Sequence, residues 1–315
     1  MQILLCLLYA LNYLWYLQGS NQGHMDFQSI ALPSELRYRC YCGGKYRCFF
    51  SLCKTNLKKN ELLPLQPKAE SMILTIDAGN TRIKGAVFEK DTLVDYFVFA
   101  GKEITSEVEN SLNKFPLVTN LVVASVRDLD KNALLAFSNR VRIHFITHQD
   151  VFPFRNLYQT PLTLGMDRMV LAAGAVMAFP GQNRLVIDAG TCITYDFVDQ
   201  DNNYLGGAIA PGLRLRYESL HRYTAKLPLL SAEGPEHFIG KSTNQAIHSG
   251  IVNGFVYEID GFIDEYKKDF SKFIIILTGG DTDFLAKRLK NTIFANSNFL
   301  LQSLNHIYQY KIKND

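Results

Sequence analysis

The sequence predicts an α/β protein of two similar lobes that share a phosphate site. Two stretches contain the same Ile-Asp-Ala-Gly motif, one at Asp77 and the other at Asp188, 111 positions further along. Apolar runs and helical patterns alternate around both stretches, which is typical of α/β sheets with parallel strands. A repeat at this distance indicates two domain-sized copies, since solenoid repeats recur roughly every 20–50 residues.

Each copy predicts a β-hairpin whose turn can bind an anion. Glycine at position 79 lets a ligand approach the backbone closely. The side chains of Asn80, Thr81 and Thr191 add hydrogen-bond donors beside the backbone N–H groups of the turns. The plainer interpretation is a hairpin in which the aspartate only caps its own turn. The presence of two copies favours the phosphate site.

Composition and charge restrict the classes of function. The chain has 315 residues, of which 47% are hydrophobic, and a net charge of +3. The first 71 residues hold eight Lys/Arg and four Asp/Glu, and the remainder holds 25 and 26. The main body therefore lacks the basic field expected of a nucleic-acid-binding protein. Cys192 is its single cysteine, which fits a reducing compartment and predicts a cytoplasmic protein.

The first 71 residues are predicted to be an extension, either disordered or produced by an upstream translation start. Their apolar beginning, residues 1–17, is shorter than the roughly 20 residues that span a bilayer. It also lacks the basic start of a secretory signal. Four cysteines resemble a zinc set, but Cys-x-Cys spacing is atypical of zinc sites; they are Cys40, Cys42, Cys48 and Cys53.

The first lobe is predicted to occupy residues 72–182. Its expected elements are strands over 72–88 and 91–100, a helix over 103–115, a strand over 121–126, a helix to about residue 139 and a strand over 141–146. A loop over 152–168 then leads to a deeply buried helix over 169–179. Asp167 and Arg168 stand at the start of this helix. Asp167 is either a cap that pairs with Arg168 or a base in the cleft, and this stretch alone slightly favours capping.

The second lobe is predicted to occupy residues 183–315. Its expected elements are a hairpin over 184–198, a helix over 213–221, a long helix that Ser242 or Thr243 begins, a strand over 272–277 and helices over 282–290 and 299–308. Gly279 and Gly280 follow the last strand, where open α/β sheets bind nucleotides. Gly240-Lys-Ser-Thr243 is not a Walker loop, because Pro235 stands where that motif needs its first glycine.

Six motifs occur in a characteristic order. They are Asp77-x-Gly-Asn-Thr-x-x-Lys84, Gly165-x-Asp-Arg168, Asp188-x-Gly-Thr191, Gly206-Gly-x-Ile-x-Pro-Gly212, Gly240-x-Ser-Thr243 and Thr278-Gly-Gly-Asp281. From Met72 to about Lys311 the chain resembles the type III pantothenate kinases of the acetate and sugar kinase, Hsp70 and actin (ASKHA) superfamily. The resemblance implies two ribonuclease H-like lobes, a duplicated ASKHA fold, with an ATP cleft between them. It also implies phosphorylation of pantothenate to 4'-phosphopantothenate, the first step of coenzyme A biosynthesis.

The resemblance also implies roles for individual residues. Asp167 would be the general base, which reverses the preference for capping. The residues that would bind ATP and its phosphates are Asp77, Gly79, Asn80, Thr81, Lys84, Thr191, Gly279 and Gly280. Those that would bind pantothenate are Tyr158, Gly165, Met166, Asp167, Arg168 and Thr243. Asp77 would organise Mg²⁺ through the phosphates, and Asp188 would bind K⁺ or NH₄⁺.

Pantothenate and ATP are the expected partners, with no nucleic acid and no membrane. Thr243 would reach pantothenate from a second copy of the chain, so a homodimer is expected. Two alternatives use the same fold: a non-catalytic regulator, and a kinase or phosphatase for another substrate such as a sugar or polyphosphate. The intact Asp77, Asp167 and Asp188 favour a working enzyme over a regulator.

Overall fold

The computed structural model describes residues 40–43, 47–50, 71–79, 81–99 and 104–314. The chain divides into two compact units, Met1–Leu65 and Gln66–Asp315. In the first unit, strands β1 (Cys40–Gly43) and β2 (Arg47–Phe50) pair antiparallel. The zinc interpretation also needs Cys53, which lies outside the described residues. The expectations for most of residues 1–71 lie outside them as well.

The second unit contains two sheets. The strands of the first sheet are β3 (Met72–Ala78), β4 (Ile83–Glu89), β5 (Thr92–Phe99), β6 (Val118–Ser125) and β7 (Arg142–Phe145). Their order across the sheet is β5-β4-β3-β6-β7. β3, β4 and β5 form an antiparallel meander, and β6 and β7 continue the sheet parallel to β3.

The second sheet repeats this arrangement. Its strands are β8 (Arg155–Asn156), β9 (Arg184–Ala189), β10 (Cys192–Val198), β11 (Asn203–Pro211), β12 (Ile274–Thr278) and β13 (Phe294–Ala295). β9, β10 and β11 form the meander, and β12 and β13 continue it in parallel. β8 is an addition beyond β11 that the sequence did not predict, because two residues give no periodic signal. The repeated order confirms the predicted duplicated α/β fold.

The two hairpins that carry the aspartates match in register. Asp77 pairs with Lys84 across β3 and β4, and Asp188 pairs with Thr194 across β9 and β10. The last pairs before the turns are Ala78 with Ile83 and Ala189 with Ile193. The first turn is therefore one residue longer than the second.

The helices lie between and outside the sheets. They are α1 (Ile104–Lys114), α2 (Lys131–Leu135), α3 (Met166–Ala178), α4 (Leu213–Arg222), α5 (Thr243–His248), α6 (Gly254–Asp269), α7 (Thr282–Ala286) and α8 (Phe299–Asn314). A π-helical turn, Ser249–Asn253, joins α5 to α6. In the described part of the chain, no helix is long and apolar enough to cross a membrane.

Two helices are shorter than predicted. α2 begins after Asp130, whose carboxylate accepts a hydrogen bond from the Ala133 N–H, and it ends at Leu135 instead of near residue 139. α7 ends at Ala286 instead of residue 290. A tertiary contact ends α7: the Lys290 N–H donates to the Asp260 carboxylate of α6 at 3.2 Å instead of to a carbonyl of its own helix.

The core has three parts. One lies between the first sheet and α1, and another lies between the second sheet and α4 and α6. The third surrounds α3 and α8, which pack against each other. α3 contacts β6, β9 and β10, while α8 contacts β3, β4 and β6. Because α3 touches both sheets, it is buried on nearly all sides, as its run of alanine, valine and leucine predicts.

Candidate active site

Three aspartates interact electrostatically where the two lobes meet. Asp77 lies near the end of β3, Asp188 near the end of β9, and Asp167 in the first turn of α3. Burial raises the pKa of Asp77 to about 7 and that of Asp188 to about 6. The charge of Asp167 raises both pKa values further, and Asp188 also raises that of Asp77. The structure thus brings together the predicted base and the two predicted cation-site aspartates.

Lys84 supplies positive charge to this group. Its charge lowers the pKa values of both Asp77 and Asp188, which partly offsets their burial. Its position opposite Asp77 in the hairpin is fixed by the β3–β4 register. The second hairpin has Thr194 at the matching position, so Lys84 is the lysine whose charge acts on the aspartates of both hairpins.

The two turns meet directly. The hydroxyl oxygens of Thr81 and Thr191 are 2.9 Å apart and hydrogen-bonded, and both residues are exposed. Gly79 is the tight position of the first turn, since a Cβ there would lie 3.1 Å from the Arg82 carbonyl oxygen. Asn80 lies outside the described residues, so its predicted role stays a prediction.

The loop after β12 closes over the end of β9. Gly279 has φ +97°, a conformation that favours glycine. A Cβ at Gly279 would lie 2.5 Å from the Asp188 Oδ1 atom and would also strike the Ala189 carbonyl. The Asp281 N–H donates to that carbonyl at 3.0 Å. Gly280 is exposed with open space beside it, so this loop places two glycines against the Asp188 end of the site.

The start of α3 differs from the prediction. The helix begins at Met166, three residues earlier than expected, so Asp167 lies inside its first turn. Gly165 is the N-cap, and no side chain caps this end. The Asp167 Oδ1 atom accepts a hydrogen bond from the Arg168 N–H at 2.8 Å. The preceding Gly165 leaves room for this carboxylate, since a Cβ there would lie 2.5 Å from the same oxygen.

Burial raises the pKa of Asp167 above its usual range. The hydrogen bond from the Arg168 N–H opposes this shift, and the negative charge of Asp196 adds to it. A half-buried carboxyl group with a raised pKa is suited to accept a proton. Met166, the other predicted substrate residue in this turn, is buried in the core around α3.

The capping interpretation required an ion pair between Arg168 and Asp167, and the structure does not show one. Its guanidinium pairs with Asp196 instead, with Nε 2.8 Å and Nη2 2.7 Å from Oδ1. Its charge lies over the Tyr158 ring, 5.7 Å from the ring centroid. Burial alone would lower the pKa of Arg168, but Asp196 raises it above the usual range. The structure thus brings the predicted substrate residues Tyr158 and Arg168 together.

Sequence reasoning missed Asp196 and Tyr204, which complete this network. The Tyr204 hydroxyl donates to Asp196 Oδ1 at 2.6 Å. Asp196 lies in the strand that follows the Asp188 motif, where the sequence shows it only as one charged residue among mostly apolar ones. Alignment of the two hairpins could have found Asp196. It places this charged residue at the position of the apolar Ala86 in the first hairpin.

Thr243 lines a groove whose lining residues do not include Tyr158, Asp167 or Arg168. It is the first residue of α5, exposed, and next to Ser242, whose hydroxyl caps the helix by accepting from the Gln245 N–H as predicted. This open groove of about 650 Å³ is also lined by Arg216, Leu227 and the π-helical turn. Within the described residues, no hydrogen bond or ion pair joins Thr243 to Tyr158 or Arg168.

The donors fit cations that are shared with a phosphate ligand. No group of three or more His, Cys, Asp or Glu side chains in the described residues could hold a metal ion alone. Mg²⁺ usually binds through one or two carboxylates together with substrate phosphates. Asp77 and Asp188, beside the paired threonines of the two turns, fit that mode of binding.

Comparison with known proteins identifies the family. A family model for type III pantothenate kinase matches residues 73–265. The type III pantothenate kinase of Flavobacterium johnsoniae is 68% identical over 244 residues, which cover 78% of this chain and 100% of that protein. That of Flavobacterium psychrophilum is 60% identical over 240 residues, covering 76% and 100%. The chain belongs to the type III pantothenate kinase family.

A solved structure supports the fold. A conserved Baf family protein from Campylobacter jejuni, described as a transcriptional activator, superimposes with a TM-score of 0.52 at 21% identity. The match covers 76% of this chain and 99% of that one. The residues that the family model matches include both hairpin turns and α3.

Proposed function

We propose that this protein transfers the γ-phosphoryl group of ATP to the primary hydroxyl of pantothenate, with Asp167 as the general base. The reaction is the first step of coenzyme A biosynthesis. The observation that carries the proposal is the half-buried Asp167, at the lobe junction, electrostatically coupled to Asp77 and Asp188. Membership of the type III pantothenate kinase family supports the substrate.

The geometry suggests how the chain assists the reaction. Phosphoryl transfer depends mainly on positioning and charge neutralisation. Asp167 takes the hydroxyl proton as the oxygen forms its bond to the γ-phosphorus, and the bond to the β-phosphate oxygen breaks to release ADP. Lys84 offsets phosphate charge, and Thr81 and Thr191 donate to phosphate oxygens. Asp77 would hold Mg²⁺ through the phosphates, and the ion would neutralise charge on them.

The remaining proposed site roles are those that the resemblance to the family implies. Tyr158, Gly165 and Arg168 contact pantothenate around the start of α3, whereas the role of Met166, whose side chain is buried in the core, stays a prediction. Gly79 and Asn80 belong to the first phosphate turn, and Gly279 and Gly280 face the nucleotide at the end of β9. Thr243 reaches the substrate from a second copy, which makes the active protein a homodimer. We place the enzyme in the cytoplasm and propose no nucleic-acid or membrane partner.

An ADP-release assay with pantothenate tests the reaction. We expect pantothenate-dependent ADP release from the wild-type protein, and no comparable release with a panel of sugars. Asp167→Asn should lower kcat by about 10²–10⁴-fold, the range typical of general-base catalysis. The matched control is Asp128→Asn, an exposed aspartate in the loop after β6. Full activity of Asp167→Asn would show that another group is the base.

Asp188 is proposed to bind the monovalent cation. Burial raises its pKa to about 6 despite the positive charge of Lys84, so the carboxylate would be stabilised by further positive charge. A cation at this position would supply that charge. We expect the rate in K⁺ or NH₄⁺ buffers to exceed the rate in Na⁺ several-fold, and Asp188→Asn to abolish the difference. Equal rates of the wild-type protein in all three buffers would contradict the cation site.

A further inference from the structure

Asp196 is a fully buried carboxylate in the middle of β10. Its side chain has no exposed surface. Oδ1 accepts from Arg168 Nε and from the Tyr204 hydroxyl, and Oδ2 accepts from the Thr194 hydroxyl at 3.0 Å. A charge this deeply buried is tolerated only when it is paired and hydrogen-bonded. All the partners observed for Asp196 are therefore held in fixed positions around it.

The duplicated fold shows that a lobe does not need this charge to pack. The strand registers place Asp196 at the position of Ala86 in the first lobe. Ala86 is also fully buried, in the core around α3 and α8. A buried ion pair is weak evidence for stability, because apolar residues of similar volume often serve as well. The carboxylate in the second copy thus requires an explanation beyond packing.

That explanation lies in what Arg168 touches. Arg168 follows Asp167 in the first turn of α3, and its backbone N–H donates to the Asp167 carboxylate. Its guanidinium also faces the Tyr158 ring. Tyr158 packs on Gly206, which has φ +104° and where a Cβ would lie 3.3 Å from the ring. The orientation of Arg168 therefore affects both the proposed base and a proposed substrate contact.

We propose that Asp196 is a positioning residue for the pantothenate site, because it holds Arg168 and thereby fixes the first turn of α3 and the Tyr158 ring. This inference rests on the proposed function. Asp196 itself does not touch the substrate. The structural cluster of Asp196, Arg168, Tyr204 and Tyr158 supports the substrate half of the site, whereas the phosphate half belongs to the two hairpin turns.

The test compares two buried aspartates. Asp196→Asn should lower kcat/KM for pantothenate by about 100-fold, as expected when a site shifts by about 1 Å, and leave the KM for ATP within about twofold. The matched control is Asp260→Asn on α6. Asp260 is 4% exposed and accepts from Lys290 N and Asn291 Nδ2, distant in sequence from the proposed site. The control should unfold at a lower temperature but keep both KM values.

A second variant keeps the test decisive if Asp196→Asn does not fold. Tyr204→Phe removes one donor to Asp196 and keeps the buried ring. We expect its pantothenate KM to rise several-fold without a change in the KM for ATP. Unchanged pantothenate kinetics in both variants, or in Tyr204→Phe alone when Asp196→Asn is unfolded, would overturn the positioning role. A wild-type protein without pantothenate-dependent ADP release would instead overturn the proposed function, and this inference with it.

Discussion

The aspartates of the candidate site oppose the stability of the ligand-free fold. Burial raises the pKa of Asp77 from 3.8 to about 7, so the folded state holds its proton more tightly than the unfolded state does. Stability therefore falls as pH rises from about 4 to 7 and stays low above that. Each tenfold difference in proton affinity is about 1.4 kcal/mol, so Asp77 costs the fold about 4 kcal/mol at alkaline pH.

This cost predicts that a variant without activity is more stable. Asp77→Asn should raise the melting temperature of the ligand-free protein at pH 8, because an amide carries no charge to desolvate. The gain should shrink as pH falls from 7 and disappear below about 4, where the wild-type carboxyl group is protonated in both states. Thermal unfolding at pH 8 and pH 5 measures the difference.

The control for this variant is Asp201→Asn, in the exposed turn between β10 and β11. It should have no more than a small effect on the melting temperature at either pH. A lower melting temperature for Asp77→Asn at pH 8 would mean that the carboxylate is stabilised in the fold, contrary to its raised pKa.

Single residues were predictable where they belong to a motif. Asp77, Asp188 and the threonines of the two turns follow from the duplicated Ile-Asp-Ala-Gly stretch, and the structure brings them together. The partner of Arg168 was not predictable. Asp167 was the nearest carboxylate in sequence, but consecutive helical residues point in different directions. Only the packing of α3 against β10 shows that Asp196 faces Arg168.

Among the elements, α3 decides the geometry of the proposed base. Its early start at Met166 places Asp167 in the first turn, where a helix N-terminus favours negative charge. The sequence missed this start because Gly165 caps the helix without a side-chain signal. Asp167 and Arg168, a charged pair before the apolar run that starts at Met169, therefore predict the end of a loop and not the first turn of the helix.

The packing of α3 against α8 predicts the effect of one methyl group. A Cβ at Gly174 of α3 would overlap the buried Ser303 hydroxyl of α8. Gly174→Ala should therefore destabilise the protein by about 1–3 kcal/mol, the usual range for overpacking. The free energy of unfolding from urea denaturation measures the change.

Gly261→Ala is the matched control, since Gly261 is exposed in helix α6 with no atom near its missing Cβ. Alanine favours helices by up to about 1 kcal/mol over glycine, so this variant should be neutral or more stable. If both substitutions change the free energy of unfolding equally, α3 and α8 accommodate the added methyl group without loss of stability.

At the scale of the whole molecule, the two lobes meet through the Thr81–Thr191 hydrogen bond. A distance of 2.9 Å between these hydroxyl oxygens leaves no room for a phosphate group. If an ATP phosphate enters between the two hydroxyls, the turns must separate to admit it. Lobe opening is then part of the ATP-binding step.

A disulfide tests this opening. Thr81→Cys with Thr191→Cys, in a background whose six native cysteines are replaced by serine, should form a disulfide between the turns on oxidation. We expect the oxidised form to lose pantothenate kinase activity and to recover it on reduction, to the level of the reduced double variant. Single-cysteine variants treated with the same oxidant are the control. An active cross-linked form would show that the turns need not separate.

The fold as a whole was largely predictable, because the duplication is visible in the sequence and the apolar periods are regular. The repeated strand order and the five buried anchors of the α5–α6 segment agree with it; the anchors are Ile247, Ile251, Phe255, Ile259 and Ile263. The π-helical turn between α5 and α6 was not predictable, since the same spacing fits an uninterrupted helix. The lobe boundaries and the role of residues 1–71 stay predictions.

Helix α8 has a consequence for how the protein is made. It is the last element of the described chain, yet it packs on β3, β4 and β6, and Asn305 donates to the Lys90 carbonyl at 2.7 Å. At synthesis rates of about 5–20 residues per second, roughly 10–40 s separate the end of β5 from the start of α8. Throughout that interval one face of the first sheet has no cover from α8. The lobe that the ribosome makes first is therefore the one that is completed last.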